Sequence, residues 1–228
     1  MSKSNIFFGL LILLSGVAPG QTIEQPNFGL KSHETLTIRK IELSSASSKF
    51  YMSIENRIPN GYFCADRKIA LIGPDGSQSM LVQAEGIPVC PDEHKFSQPG
   101  EKLDFTLTFP PLKPGTPWVD IVEECSDNCF SFYGVTLDQE LNRKIDNALV
   151  LADSGEPVRA MMDLISIVGT FAKPDPGIEG FLYVSIIKLA RQTGNSVKAS
   201  EWYNRLKASH APRLQQYLKY LQDQGISY

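Results

Sequence analysis

Residues 105–137, FTLTFPPLKPGTPWVDIVEECSDNCFSFYGVTL, decide the fold of the β-rich part of this chain. Apolar and polar side chains alternate at its start, which is typical of a strand with one buried face; the apolar members are Leu103, Phe105, Leu107 and Phe109. The prolines at 110, 111, 114 and 117 then stop the strand, because proline lacks the N–H that a ladder needs. Residues 118–124 and 130–137 predict two more strands, joined by a turn at 126–128, with Cys125 and Cys129 placed to bridge this hairpin.

Four further strands are indicated upstream, at 35–44, 49–56, 67–72 and 79–84. Turn signals such as Asn60-Gly61 separate them. Residues 21–34 predict a polar lead without a strand. Seven short antiparallel strands with no helix between them predict an immunoglobulin-like β-sandwich.

From Asp138 onward the apolar residues recur at helical spacing. Glycine and proline punctuation divides this part into five short helices, expected to begin near Asp138, Pro157, Ile178, Ser196 and Pro212. Asp138 is a suitable N-cap directly after a predicted strand, so we expect the helices to be docked on the sandwich rather than tethered by a linker. The sequence predicts a segregated α+β fold, with a sandwich domain at 21–137 and a helical domain at 138–228.

The first 20 residues resemble a secretory signal peptide. They contain one early lysine, an apolar run from Ile6 to Val17 that is shorter than the roughly 20 residues of a membrane-spanning helix, and small residues Ala18 and Gly20 before Gln21. An uncleaved anchor is the alternative. The pattern predicts a secreted or periplasmic protein. The net charge of −3 gives no basic surface for nucleic acid, and no later segment is apolar enough for stable membrane insertion.

Four cysteines in an exported chain indicate two disulfides, for which three pairings exist. We favour Cys64 with Cys90 and Cys125 with Cys129. The Cys-x-x-x-Cys spacing differs from that of thioredoxin, so a thiol-redox role for Cys125 and Cys129 is the weaker alternative. No metal site or cofactor is expected, because the only histidine near a cysteine is His94.

No catalytic motif is present in the sequence, and no catalytic residue is predicted. Asp120, Glu123 and Glu124 lie close together, but adjacent strand residues point to opposite faces, which argues against a carboxylate pair acting on a sugar. Asp127 and Asn128 are expected to form a turn rather than a calcium site. The histidines at 33, 94 and 210 are expected to be solvated.

Two resemblances add to this interpretation. Residues 180–212, GFLYVSIIKLARQTGNSVKASEWYNRLKASHAP, resemble one tetratricopeptide repeat, with Gly194-Asn195 at the inter-helix turn and Ala199 and Tyr203 at the small and aromatic positions. Ile187 departs from the usual small residue, and no second copy is found, so an ordinary helical hairpin is the alternative.

The central stretch resembles a pattern, FxLxFPPLxxGTxxxDxxE followed by FxFxGV, of β-sandwich modules in exported bacterial proteins of unassigned activity. The residues that carry it are Phe105, Leu107, Phe109, Pro110, Pro111, Gly115, Asp120, Glu123, Phe130, Phe132 and Gly134. The resemblance implies a fold and a compartment but no chemistry.

The function expected from the sequence is an exported, non-catalytic binding or adaptor protein whose partner is another protein or a peptide. A hydrolase acting on an extracellular or envelope polymer is the alternative. Trp202 and Tyr220 are the candidate partner-binding residues, because Trp and Tyr often anchor interfaces. Tyr203 and Tyr217 share helical faces with leucines, so they are expected to be buried.

Overall fold

Twelve strands precede five helices along the described chain, which confirms a segregated α+β fold. The structure is a computed structural model, and it describes residues 20–126, 128–171 and 177–228. The strands are β1 (Gln21–Glu24), β2 (Leu30–Lys31), β3 (Leu36–Leu43), β4 (Ser48–Glu55), β5 (Tyr62–Phe63), β6 (Ile69–Ile72), β7 (Gln78–Met80), β8 (Gln83–Glu85), β9 (His94–Lys95), β10 (Lys102–Phe109), β11 (Trp118–Glu123) and β12 (Ser131–Thr136). The helices are α1 (Gln139–Asp153), α2 (Pro157–Gly169), α3 (Glu179–Gln192), α4 (Ser196–Ala208) and α5 (Leu214–Asp223). Most of the predicted signal peptide lies outside the described residues.

The strands form two five-stranded antiparallel sheets and one small two-stranded sheet. The first sheet has the order β1-β3-β4-β10-β8, the second has the order β2-β12-β11-β6-β7, and β5 pairs with β9. Buried side chains from both large sheets belong to one apolar core, and they include Ile41, Phe50 and Leu107 from the first sheet and Ile121 and Phe132 from the second. The alternation in β10 places Phe105, Leu107 and Phe109 in this core, as its sequence pattern predicts.

The predicted polar lead at 21–34 is wrong, because it contains β1 and β2. Both strands lie at sheet edges, and β1 buries only Ile23, so neither has the alternation that indicates a strand. The predicted strand at 79–84 is confirmed at its start, where β7 pairs with β6, but it is wrong in its extent. The chain leaves the second sheet after Leu81, whose N–H donates to Ile69 O, and enters the first sheet at Val82, whose N–H donates to Thr108 O.

A β-bulge between β11 and β12 redirects one backbone donor. Gly134 has φ +65°, and its N–H donates to Asp120 Oδ1 over 2.7 Å. A Cβ at Gly134 would collide with the carbonyl oxygen of Gly177, so glycine is needed both for the left-handed backbone and for the close approach of the chain that leads into α3.

The helices are docked on the second sheet. Asp138 caps α1 by accepting from the N–H groups of Glu140 and Leu141. Buried Asn142 in α1 donates to Thr136 O over 3.0 Å and accepts from the Asn27 N–H over 2.7 Å. These bonds link the first helix to β12 and to the loop between β1 and β2.

An ion pair joins the far end of the helical part to the same sheet. Arg213 Nη2 lies 2.6 Å from Asp120 Oδ2, and the guanidinium carbon lies 3.6 Å from the centre of the Tyr133 ring. Arg213 is the residue before α5 and has φ +59°, so the start of this helix is positioned over β11 and β12. Asp120 is only 4% exposed.

Tyr217 fills the space between α5, α3 and the β1–β2 loop. Its ring occupies the position where a Cβ on Gly180 would lie, and its hydroxyl occupies the equivalent position at Gly29. The chain therefore uses two glycines to admit one buried aromatic ring.

Gly180→Ala should destabilise the protein by about 1 to 3 kcal/mol, because the new methyl group would overpack the Tyr217 ring. An alanine in a helix normally stabilises by up to about 1 kcal/mol relative to glycine, so the sign of the effect is informative. Gly169→Ala in α2 is the matched control, since a Cβ there meets no atom within 4 Å. Urea unfolding of both variants measures the difference, and equal stability of the two would contradict this packing.

Candidate binding site at the disulfide end of the sheets

All four cysteines are paired in the structure, in the arrangement that the sequence favours. Cys64 is bonded to Cys90 with a Cα–Cα distance of 5.4 Å, and Cys125 is bonded to Cys129 with a Cα–Cα distance of 5.5 Å. The first disulfide closes the chain between β5 and β9, and the second closes the turn between β11 and β12. Both line the same pocket.

Trp202 does not lie on a partner surface. Its side chain is 2% exposed, its ring centre lies 5.4 Å from that of Tyr183, and the Arg205 guanidinium covers the ring at 4.6 Å. The prediction that Trp202 anchors a partner failed because its side chain lies between α3 and α4, where it fills the helical core. Tyr203 and Tyr217 are buried as well.

Tyr220, the other candidate partner-binding residue, is 38% exposed on α5. Lys188 of α3 donates to its hydroxyl over 3.1 Å, and the Lys188 ammonium lies 5.5 Å from the ring centre. Tyr220 is thus accessible but already has one neighbour that satisfies its polar end.

The carboxylates around β11 are used by the fold. Asp120 accepts from Gly134 and Arg213, on the helix-covered face of the sheet. Glu123 is 6% exposed and accepts from the N–H groups of Asp66 and Phe130 over 2.7 and 2.9 Å, while burial raises its pKa above the ordinary glutamate value. Glu124 is exposed, so the two adjacent glutamates do face opposite ways.

Glu123 also organises the disulfide end. Asp66 follows Cys64 by two residues and Phe130 follows Cys129 directly, so the two hydrogen bonds of Glu123 tie the segments of both disulfides to β11. Asp127, at the tip of the predicted turn, lies outside the described residues, and Asn128 has φ +59°. The described residues contain no group of three or more His, Cys, Asp or Glu side chains that could hold a metal ion.

The histidines have separate surroundings. His33 is half-buried beside Phe63, burial lowers its pKa, and its Nδ1 lies 2.8 Å from Ser32 Oγ. His94 lies 3.3 Å from Glu101 Oε1, and His210 is exposed at the end of α4. They share no common site.

A pocket of about 530 Å³ opens between the two disulfides. We call it the disulfide-end pocket and define it by Ile54, Ile58, Tyr62, Phe63, Cys64, Cys90, Phe96, Glu123 and Cys125. A larger open groove of about 990 Å³ lies at the opposite part of the fold, between the proline-rich segment after β10 and the start of α1. The groove contains none of the strongly exposed apolar side chains, whereas the disulfide-end pocket has two.

Those two side chains are Ile58, which is 62% exposed, and Tyr62, which is 58% exposed. Phe63 points inward, where its ring lies 6.0 Å from that of Phe105 and 6.2 Å from that of Phe130. Because neighbouring strand residues face opposite sides, the anchoring of Phe63 turns Tyr62 outward. The disulfide at Cys64 fixes the next residue of the chain.

The loop before Tyr62 is built around the buried amide of Asn56. Asn56 Nδ2 donates to Ile58 O over 2.9 Å and to Gln98 O over 3.0 Å, and its Oδ1 accepts from the Ile58 N–H. Gly61 has no side chain where Asn56 Oδ1 lies, and the Gly61 carbonyl accepts from the Phe96 N–H over 2.9 Å. The backbone that carries the exposed Ile58 is therefore fixed by hydrogen bonds, at Ile58 itself to Asn56 and at Gly61 to Phe96.

Acidic side chains outnumber basic ones around this pocket. Glu55, Asp66, Glu93 and Glu123 line it, against Arg57 and the half-buried His33. Arg57 is partly neutralised by Glu34 at 3.5 Å, and Glu55 is partly neutralised by Lys102 at 3.6 Å. Asp66 and Glu93 supply the remaining accessible negative charge. The surface thus combines exposed apolar groups with negative charge.

Comparison with known proteins yields no match to a family model. No curated protein and no solved structure is significantly similar to the chain either. Within the described part of the chain, no helix has both the length and the apolar character required to cross a membrane.

Sequence reasoning missed this pocket, although two signals were present. Ile58 lies in a stretch of turn residues, where a large apolar side chain has no core to fill, and Tyr62 lies two residues before the first cysteine. Neither signal predicts a pocket by itself, because only the two disulfides and Asn56 bring these segments together.

Proposed function

We propose that this protein is an exported, non-catalytic binding protein whose disulfide-end pocket takes a short polypeptide segment from a partner. The observation that carries the proposal is the exposure of Ile58 and Tyr62 on a backbone fixed by Asn56 and by the Cys64–Cys90 disulfide. Apolar and aromatic side chains on a preorganised backbone bind with little loss of conformational entropy, and tyrosine is a frequent interface anchor.

The charge around the pocket favours one class of segment. An apolar side chain would contact Ile58 and Tyr62, while a neighbouring Lys or Arg would lie near Asp66 and Glu93. A basic-and-apolar peptide is thus the occupant that complements this surface.

The proposal includes the finer features inferred from the sequence. Export rests on the predicted signal peptide, and the two disulfides suit an oxidising compartment. We also propose an immunoglobulin-like relation for the sheets and a tetratricopeptide-like relation for α3 and α4. Tyr220 on α5 is the alternative contact residue, and the variants below distinguish it from Tyr62. The hydrolase alternative gains no support from the described carboxylates of β11, since Asp120 and Glu123 are engaged in structural hydrogen bonds.

Tyr62→Ala should weaken peptide binding by roughly thirtyfold, the loss of about 2 kcal/mol that truncation of an interface anchor causes. The probe is a displayed library of random short peptides, selected on the wild-type protein and then measured by titration calorimetry. We expect the enriched peptides to carry an aromatic or aliphatic residue beside Lys or Arg. Unfolding should be unchanged, because Tyr62 is exposed.

Tyr220→Ala is the matched control, since it removes an exposed tyrosine from the helical part. It should leave the affinity of the selected peptides unchanged. A loss of affinity in Tyr220→Ala but not in Tyr62→Ala would assign binding to the helices instead. Failure to enrich any peptide that distinguishes Tyr62→Ala from wild type would overturn the assignment of the pocket.

A further inference from the structure

Alternate residues of the segment at 61–66 pair with the chain at 88–96. The pairs are Gly61 with Phe96, Phe63 with His94, and Ala65 with Pro88 and Cys90. Because alternate residues of a strand face opposite neighbours, the N–H and C=O groups of Tyr62 and Cys64 point away from 88–96. Within the described part of the chain, no hydrogen bond reaches these groups, and we call them the Tyr62–Cys64 edge.

The direction of this edge follows from Asp66, the next residue of the same alternate set. The Asp66 N–H donates to Glu123 Oε1 over 2.7 Å, and Glu123 ends β11. The edge therefore faces the second sheet, across the disulfide-end pocket that Tyr62, Cys64 and Cys125 line together. The pocket volume of about 530 Å³ lies within the range of cavities that hold ligands.

We propose that the polypeptide segment bound in the disulfide-end pocket is extended and adds one strand to the Tyr62–Cys64 edge. This inference rests on the proposed function, because it specifies how the same pocket takes its peptide. In such an added strand, backbone hydrogen bonds supply affinity and the side chains of the segment supply specificity. Glu123 already occupies the next position, at Asp66, so the pairing is confined to a short stretch.

The side chains around the edge determine which segment fits. Backbone pairing alone accepts any strand, but Ile58 and Tyr62 lie at one end of this edge and Asp66 at the other, about 13 Å from Tyr62 along a strand. An apolar side chain at the first end and a Lys or Arg at the second complement these groups. A second copy of this chain is the poorer occupant, because its net charge of −3 would face an acidic lining.

Amide hydrogen exchange without peptide tests whether the edge is open. The amides of Phe63 and Ala65 should be protected by their partners at 88–96, whereas those of Tyr62 and Cys64 should exchange at least about tenfold faster. The Asp66 amide is the internal control, because Glu123 protects it. Equal protection of Tyr62 to Ala65 would overturn the proposal. So would protection of Tyr62 and Cys64 that rises with protein concentration, since it would assign the edge to a second copy.

An N-methyl scan of one peptide selected from the displayed library tests the bound state. Each N-methyl group removes one backbone donor and obstructs one side of an added strand. Methylation at alternate residues of the bound stretch should weaken binding by about tenfold or more, and methylation at the residues between them by less than about threefold. Binding of the unmodified peptide should slow exchange at Tyr62 and Cys64 at least about tenfold and leave Asp66 unchanged.

The alternating pattern should persist in Tyr62→Ala, because alanine retains the backbone N–H and C=O of tyrosine. Loss of affinity in Tyr62→Ala without alternation in the N-methyl scan would leave the pocket assigned but overturn the added strand. If no selected peptide distinguishes Tyr62→Ala from wild type, the proposed function fails and the added strand fails with it.

Discussion

Arg213→Ala should lower the free energy of unfolding by about 3 kcal/mol. The substitution removes the partner of Asp120 Oδ2, and Asp120 is 4% exposed, so its carboxylate would remain in a site poor in water with only the Gly134 N–H. It also removes the guanidinium that lies 3.6 Å from the centre of the Tyr133 ring. We expect the cost to lie at the lower end of the range observed when buried ion pairs are broken, because the Arg213 side chain is 26% exposed.

The measurement is urea unfolding, with the melting temperature expected to fall by about 6 to 12 °C for a chain of this size. Arg39→Ala is the control: Arg39 pairs with Asp104, but both side chains are more than half exposed, so the cost should be about 0 to 1 kcal/mol. Equal costs for the two variants would contradict a structural role for the Arg213–Asp120 pair.

The Arg213–Asp120 pair also helps to couple the unfolding of the β-rich part to that of the helical part. Hydrogen bonds from Asn142 and the Arg213–Asp120 pair link the helices to the second sheet at two separate places. We therefore expect wild type to unfold in one transition. Limited proteolysis near Asp138 that releases a stable β part before any other cut would oppose this expectation.

Removing the Cys64–Cys90 disulfide should cost about 3.5 kcal/mol, whereas removing Cys125–Cys129 should cost about 2 kcal/mol. The difference follows from sequence separations of 26 and 4, because a cross-link that closes a longer loop removes more entropy from the unfolded chain. The double serine variants Cys64→Ser/Cys90→Ser and Cys125→Ser/Cys129→Ser allow the two costs to be compared by denaturant unfolding.

The longer disulfide should also matter more for the proposed binding site. Tyr62 and Phe63 directly precede Cys64, so release of this cysteine loosens the strand that presents Tyr62. Selected peptides should bind the Cys64→Ser/Cys90→Ser variant more weakly than the Cys125→Ser/Cys129→Ser variant. A reversed order of the two stabilities, or of the two affinities, would show that loop closure does not govern this end of the molecule.

The sequence by itself determined the elements whose signals are local. The alternation at 103–109 specifies β10, and glycine and proline punctuation with helical spacing specifies five helices whose observed starts, such as Pro157 and Ser196, lie where the pattern predicts. Asp138 forms its cap because a carboxylate before a helix accepts the free N–H groups of the first turn wherever that helix packs.

Only the tertiary structure decided the features that depend on residues distant in sequence. β1 and β2 are strands because a neighbouring strand pairs with them, and the 79–84 segment divides because two sheets compete for its backbone groups. Trp202 is buried because α3 covers it, whereas Ile58 and Tyr62 remain exposed because Asn56 and a disulfide hold their backbone. Local patterns fix hydrogen bonding within a segment, but the exposure of a side chain depends on which distant segment covers it.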